Sequence, residues 1–395
     1  MSSASKVFQT KKILSRVFDF LGNDHIRNQF IPCSNKQILI YGQVQSGKTA
    51  KIMEYIKKCT NQISILMIQN SLSMLSQYER ALRANNIKFY SISSNEIYLA
   101  VWFIKRYTSN LVLLVMNNAH RRDALDKVLH KTKISNYSLI MDESDLYYKN
   151  MRYTSIYKKA SECVHVTATP FSTGYNAYFD EVIIIPPKKE YISFKKLDIK
   201  FIPEVENEYK TTLDIIRNDF LKKKQGIMLI TIHNRVANMV SACHALSKQL
   251  SLIEVPIVML SCKNTLYFNK KTKELPKMSI SEIISGLDNH QHIIFIANRL
   301  ASRGINYSDL TYTRHLTHQI IKHNESKTNF IQRCRILGNK GNVKDKLKLY
   351  CFNCSENYFQ DVIQKIDKLE ENVDYLKVGY VPKTLKPSLN RSKTI

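Results

Sequence analysis

The sequence predicts two tandem α/β units, each a mostly parallel sheet wrapped by helices, and three observations carry the prediction. Short apolar runs alternate with helically spaced stretches from Ile38 to Ile185, and the rhythm resumes at Ile227. Between the two series, Pro186-Pro187-Lys188-Lys189 breaks the pattern. Gly42-Gln43-Val44-Gln45-Ser46-Gly47-Lys48-Thr49 fits the phosphate-cradling pattern G-x-x-x-x-G-K-[ST] in full, after a strand-like run and before a helix-like one.

Taken in order, Val7, Phe8, Ile13, Leu14, Val17, Phe18 and Leu21 share a helical face, so residues 1–22 read as an N-terminal helix stopped by Gly22-Asn23. A first α/β unit follows over residues 23–187, with strand-like runs at Ile38–Tyr41, Ile63–Ile68, Leu111–Met116, Leu139–Met141, Val164–Val166 and Val182–Ile185. Residues 188–200 are the expected linker. The second unit, 201–376, places strands at Ile227–Ile232, Pro256–Leu260, Ile293–Ala297 and Leu349–Phe352 and ends in a helix from Asn357. Residues 377–395 carry Lys377, Lys383, Lys386, Arg391 and Lys393 without one acidic residue, the pattern of a flexible basic tail.

The chain has 395 residues, 44% of them hydrophobic, which suits two ordinary cores and argues against disorder. Lys and Arg total 59 against 33 acidic residues, a formal net charge of +26 that points to a polyanionic partner. Nucleic acid leads; an anionic membrane surface and a lysine-rich proteome are the alternatives. No apolar run approaches the roughly 20 residues of a membrane span, and the N-terminus has no signal-peptide core. A soluble intracellular setting is therefore expected, either cytoplasm or a viral replication compartment or virion. The abundance of Lys, Asn, Ile and Tyr resembles an AT-rich coding genome, viral or microbial. Among eight scattered cysteines only Cys351 and Cys354 form C-x-x-C, and without a second pair at zinc spacing they read as structural.

The chemistry-bearing residues follow from the loop at Gly42–Thr49. Its glycines turn backbone N–H groups toward phosphates, Lys48 reaches the outer phosphates, and the Thr49 hydroxyl takes Mg²⁺. Ser138-Leu139-Ile140-Met141-Asp142-Glu143-Ser144-Asp145 is an apolar strand ending in adjacent carboxylates. In a phosphate-loop ATPase the first, Asp142, holds Mg²⁺ and the second, Glu143, is the general base for the attacking water. Val164-His165-Val166-Thr167-Ala168-Thr169-Pro170-Phe171 offers two hydroxyls that can bond the Asp142-Glu143 pair and report the γ-phosphate.

The ordered set G-x-x-x-x-G-K-T, D-E-S-D and T-A-T-P resembles the first RecA-like domain of a superfamily 2 helicase or translocase. Residues 42–49 and 167–171 are particularly similar to the Z-one-domain ATPases, a helicase-like family often labelled endonucleases. That family also carries a small-residue-Arg-Gly stretch and a later Q-x-x-R-x-x-G. Ser302-Arg303-Gly304-Ile305-Asn306 and Gln332-Arg333-Cys334-Arg335-Ile336-Leu337-Gly338 match them, so the resemblance runs from residue 42 to 338. It implies two RecA-like domains, ATP and Mg²⁺ between them, and single-stranded DNA or RNA as partner. By the same resemblance Arg335 is the arginine finger, Gln332 senses nucleotide, Arg303 and Gly304 sit at the cleft, and Arg333 is a second cation.

Three departures qualify the match. Phe30-Ile31-Pro32 is at best a trace of the adenine-reading motif, Asp145 stands where a histidine is frequent, and Asn306 stands where relatives place a ribose-touching acid. No nuclease constellation is visible. Asn70-Ser71 with Gln77, Asn117-Asn118-Ala119-His120 with Arg121 and Arg122, and Thr231-Ile232-His233-Asn234-Arg235 follow strands and suit either phosphate contact or helix capping. His315, Thr317 and His318 are expected to line the cleft. The function this implies is ATP-driven helicase or translocase activity; an ATP-gated switch module that changes partners, among them proteins, is the alternative.

Overall fold

The computed structural model describes residues 35–59, 61, 63–107, 110–170, 179–233, 235–261, 265–268, 272–276, 278–297, 305–323, 327–340 and 346–371. The expected N-terminal helix and basic tail lie outside these residues, as do Phe30-Ile31-Pro32, Phe171, Asn234 and Ser302-Arg303-Gly304.

Seven strands build the first sheet: β1 (Lys36–Tyr41), β2 (Ile63–Ile68), β3 (Lys88–Ser91), β4 (Leu111–Met116), β5 (Ser138–Asp142), β6 (Glu162–Thr167) and β7 (Glu181–Ile184). Their order is β3-β4-β2-β5-β6-β1-β7, and every pairing is parallel. Parallel strands covered on both faces must be apolar throughout, and β2 and β4 are buried at every position. The two-residue period is visible in β1. Ile38 and Ile40 pack on one face with Ile52 and Ile56 of the helix Lys48–Lys58, while Leu39 and Tyr41 pack on the other.

β8 (Tyr191–Ile192) and β16 (Gly338–Asn339) form a small antiparallel ribbon. The second sheet contains β9 (Asp198–Ile202), β10 (Gly226–Thr231), β11 (Ile257–Leu260), β12 (Thr265–Phe268), β13 (Thr272–Leu275), β14 (His292–Ala297), β15 (Leu316–Lys322) and β17 (Lys348–Phe352). Its order is β13-β12-β11-β14-β10-β15-β17-β9, parallel except for the β11–β12–β13 meander. One hydrophobic cluster runs on from the first sheet into the second. Within it Phe194, from the connection between the sheets, stacks on Phe330 at 6.5 Å and meets Phe359 edge-on at 5.1 Å.

The structure shortens the expected linker at 188–200, because Asp198–Ile202 is already the edge strand of the second sheet, parallel to β17. Its alternation of Ile199 and Phe201 with Lys200 suits an edge, where charge on the open face is tolerated. β15 lies next to central β10, yet its Thr317-His318-Gln319 hides the apolar run. The polar groups are satisfied locally: the Gln319 amide donates to Arg333 O at 2.6 Å and accepts from Ile336 N–H at 3.0 Å.

Candidate nucleotide-binding cleft

The loop after β1 is shaped by steric necessity. A Cβ on Gly42 would lie 2.5 Å from Ser46 Oγ, and Gly47 has φ +101 as it opens the helix Lys48–Lys58. Gln45 also adopts a positive φ of 57. Lys48, buried, folds back over the loop and donates to the carbonyls of Gly42 at 3.3 Å and Gln43 at 3.2 Å. These carbonyls hold the ammonium beside the space that the loop encircles.

β5 delivers Asp142 to the same space, and Glu143 follows with φ 50 before a 3₁₀ turn at Ser144–Leu146. The fully buried Tyr78 hydroxyl donates to Asp142 Oδ2 at 2.7 Å and also interacts with Thr49. Tyr147 places its hydroxyl between the carbonyls of Met67 and Asp142. Burial, and then the neighbouring Glu143 charge, push the Asp142 carboxyl up to about 7. Glu143 Oε2 is buried without a hydrogen-bond partner.

A divalent cation fits this surplus of uncompensated carboxylate. Asp142 and the Thr49 hydroxyl line one cleft, the small hard-oxygen set that Mg²⁺ shares with phosphates. Among the described residues no group of three or more His, Cys, Asp or Glu is arranged to hold a metal ion. Cys351 and Cys354 are both buried in the core.

The cleft measures about 580 Å³ and takes residues from both domains. Gln45, Gly47, Lys48, Thr49, Asp142 and Glu143 form the first wall; Ile305, Asn306 and Arg335 belong to the second. Arg80 bridges the mouth, donating to Ser279 Oγ at 3.2 Å and lying 3.8 Å from Glu282, whose side chain completes a capping box with Ser279. Gln43 and Val44 instead line a smaller cavity of about 240 Å³ behind the loop, which contains none of Lys48, Asp142, Glu143 or Arg335. Lys48, Thr49, Asp142, Glu143 and Arg335 meet in the larger cleft.

Several expectations are corrected here. Thr167 and Thr169 donate to Asp145, at 2.8 and 3.0 Å, rather than to Asp142 and Glu143. The positive φ at Glu143 and the 3₁₀ turn bring Asp145 back to the end of β6. Gln332 donates to Thr169 Oγ1 at 3.0 Å, so a chain of bonds crosses the domain boundary from Asp145 through Thr169 to Gln332. His315, Thr317 and His318 line a separate recess with Lys223 and Gly226. They stand at or before the N-terminal end of β15, opposite the strand ends that feed the cleft, and His318 lies 3.5 Å from Asp219.

Two of the strand-end polar residues, Ser71 and Asn118, act as caps. Ser71 Oγ accepts from Met74 N–H, Asn118 Oδ1 from Arg121 N–H at 2.9 Å, and Asn118 also donates to Asn70 at 3.0 Å. Arg121 and Arg122 are held by Ile92 O and Asn117 Oδ1. Gln77, by contrast, lines the interdomain cleft. Tyr78, Gln319 and Lys340 are the site-supporting residues that sequence reasoning missed. Tyr78 had one available signal, its place on the helix after β2, but no motif contains it.

No family model and no curated protein matches the chain. Among solved structures it is similar to RecG bound to a three-way DNA junction, with TM-score 0.50 and 13% identity over 90% of this chain and 44% of that one. It thus spans less than half of the RecG chain. A second similar structure is Saccharomyces cerevisiae Dbp5 bound to RNA and ADP BeF3, with TM-score 0.49 and 12% identity over 92% of this chain and 90% of that one. The fold is that of two RecA-like α/β domains with mostly parallel sheets. Among the described residues no helix is long and apolar enough to cross a membrane.

Proposed function

We propose that this protein is an ATP-dependent nucleic-acid helicase or translocase that hydrolyses ATP in the cleft between its two domains. The observation that carries the reading is the convergence of Lys48, Thr49, Asp142 and Glu143 from one domain and Arg335 from the other on a single space. Lys48 and the loop N–H groups grip the outer phosphates, as the loop geometry is suited to do. Glu143 Oε2, buried and without a partner, accepts the proton of the attacking water. Arg335 supplies positive charge from the opposite wall as charge develops on the transferred phosphate. Mg²⁺ held by Asp142 and Thr49 would neutralise phosphate charge and orient the outer phosphates. Tyr78 keeps the Asp142 carboxylate in one orientation.

The Asp145–Thr169–Gln332 connection supports a coupling between cleft closure and the relative position of the domains. The formal charge of +26 supports a polyanionic track, and the RecG similarity, a protein solved on DNA, is consistent with nucleic acid as that track. ATPase turnover measured with panels of single-stranded DNA and RNA tests the reading. Stimulation by a strand is expected, together with a collapse of turnover in Glu143→Gln at retained ATP binding. Turnover indifferent to every strand but raised by a protein partner would replace the translocase with an ATP-gated switch.

A further inference from the structure

We infer that Lys340 is a positioning residue that ties the nucleotide loop of the first domain to the Arg335 backbone of the second; the inference rests on the ATPase reading above. Lys340 lies just beyond β16 and is almost wholly buried. Its ammonium donates to Gln45 Oε1 at 3.2 Å and to Arg335 O at 3.4 Å, one acceptor from each domain. The Gln45 amide is used at both ends, because its Nε2 donates to Ile305 O at 3.3 Å. The side chain at the loop tip is therefore oriented entirely by groups of the second domain.

The surrounding backbone is built for this contact. Gly338 has φ +118, and a Cβ there would stand 2.6 Å from Gln45 Cβ, so only glycine lets the loop approach β16 so closely. β16 pairs with β8, and from β8 the Tyr191 hydroxyl donates to Val44 O at 2.7 Å. Adjacent loop residues, Val44 and Gln45, are thus gripped by a ribbon that joins the interdomain connection to the segment after Arg335. Burial, and then the charge of Arg335, push the Lys340 amine down to about 7, so an apolar side chain would be easier to accommodate at this position. What the ammonium contributes is a fixed distance between the phosphate loop and the cation that faces it.

Because the link acts on geometry needed in the transition state, its loss appears in turnover rather than in nucleotide affinity. The test compares Lys340→Met, Gln45→Leu and the double variant in ATP turnover, affinity for a fluorescent ATP analogue, and hydrogen exchange of the amides of residues 43–47. Each single variant is expected to lose about ten-fold in kcat, the scale of one buried hydrogen bond, with affinity within about three-fold. The double variant should be no slower than the worse single, and exchange at 43–47 should accelerate. Additive losses, affinity falling in step with kcat, or unchanged exchange would each overturn the inference. Should Lys340→Met fail to fold, Gln45→Leu, which leaves the lysine in place, supports the same comparison. A wild-type protein that hydrolyses no ATP refutes the ATPase reading instead, and the exchange rates then judge the Lys340 link by themselves.

Discussion

Replacing Gly338 by alanine puts the interdomain packing to a direct test. The backbone there has φ +118, outside the region that L side chains adopt readily, and such residues cost about 1–3 kcal/mol. The new methyl would also stand 2.6 Å from Gln45 Cβ and 2.8 Å from Gln45 Oε1. The first of these atoms is attached directly to the loop backbone and cannot swing aside, so overpacking adds about 1–3 kcal/mol. The expected destabilisation is therefore about 2–6 kcal/mol, read from urea denaturation, with turnover falling as the loop is pushed away from Arg335. Gly286, the last residue of the helix Ile280–Gly286, has nothing within 4 Å of an added Cβ and serves as the control. Gly286→Ala should be neutral or stabilise by up to about 1 kcal/mol. If Gly338→Ala matched wild type within about 0.5 kcal/mol, the close approach of the two domains at this point would be refuted.

Other expectations concern the cleft and the core. Tyr78→Phe removes the donor to Asp142 Oδ2 and should raise roughly ten-fold the Mn²⁺ concentration that half-saturates the ADP complex in magnetic-resonance titration; an unchanged titration would deny Tyr78 an orienting role. Arg335→Ala should slow hydrolysis by about 10³-fold or more while sparing nucleotide affinity better than Lys48→Ala does, and equal losses of binding would contradict the finger role. His165 is fully buried and its imidazole is pushed down to about 3 by burial, so it is neutral when folded and protonated when unfolded across the interval down from about 6.5. Stability is then complete above that value and is lost as pH falls from about 6.5 toward 3. His165→Gln should flatten this acid limb in denaturation midpoints measured across the interval, and an unaltered slope would assign the acid sensitivity to other groups.

Much of this protein was legible in its sequence because the relevant signals are local. Long apolar runs such as β2 and β4 announce parallel strands, since a strand covered on both faces has no polar side to show. The loop at Gly42–Thr49 and the Asp142-Glu143 strand end announce themselves because the steric demands of the tight loop and the adjacent carboxylates fall on consecutive residues. Edge and polar strands were harder. β3 is half-exposed, β9 alternates charge with apolar residues, and β15 buries His318 and Gln319, whose tolerance depends on Asp219 and Arg333 supplied by other elements.

Contacts between distant segments were beyond the reach of sequence alone. Motif spacing placed Thr167 and Thr169 near the acidic pair, but the positive φ at Glu143 decides that Asp145 is the carboxylate they meet. Nothing near Gln45 in the chain reveals that Lys340, 295 residues later, shares its side-chain oxygen. By itself the sequence determined two α/β units and the glycine loop at Gly42–Thr49, because backbone periodicity and glycine requirements are written in neighbouring residues. Only the tertiary structure decided which side chains close the cleft around that loop, because hydrogen bonds and buried charge depend on what the packed chain brings within about 3 Å.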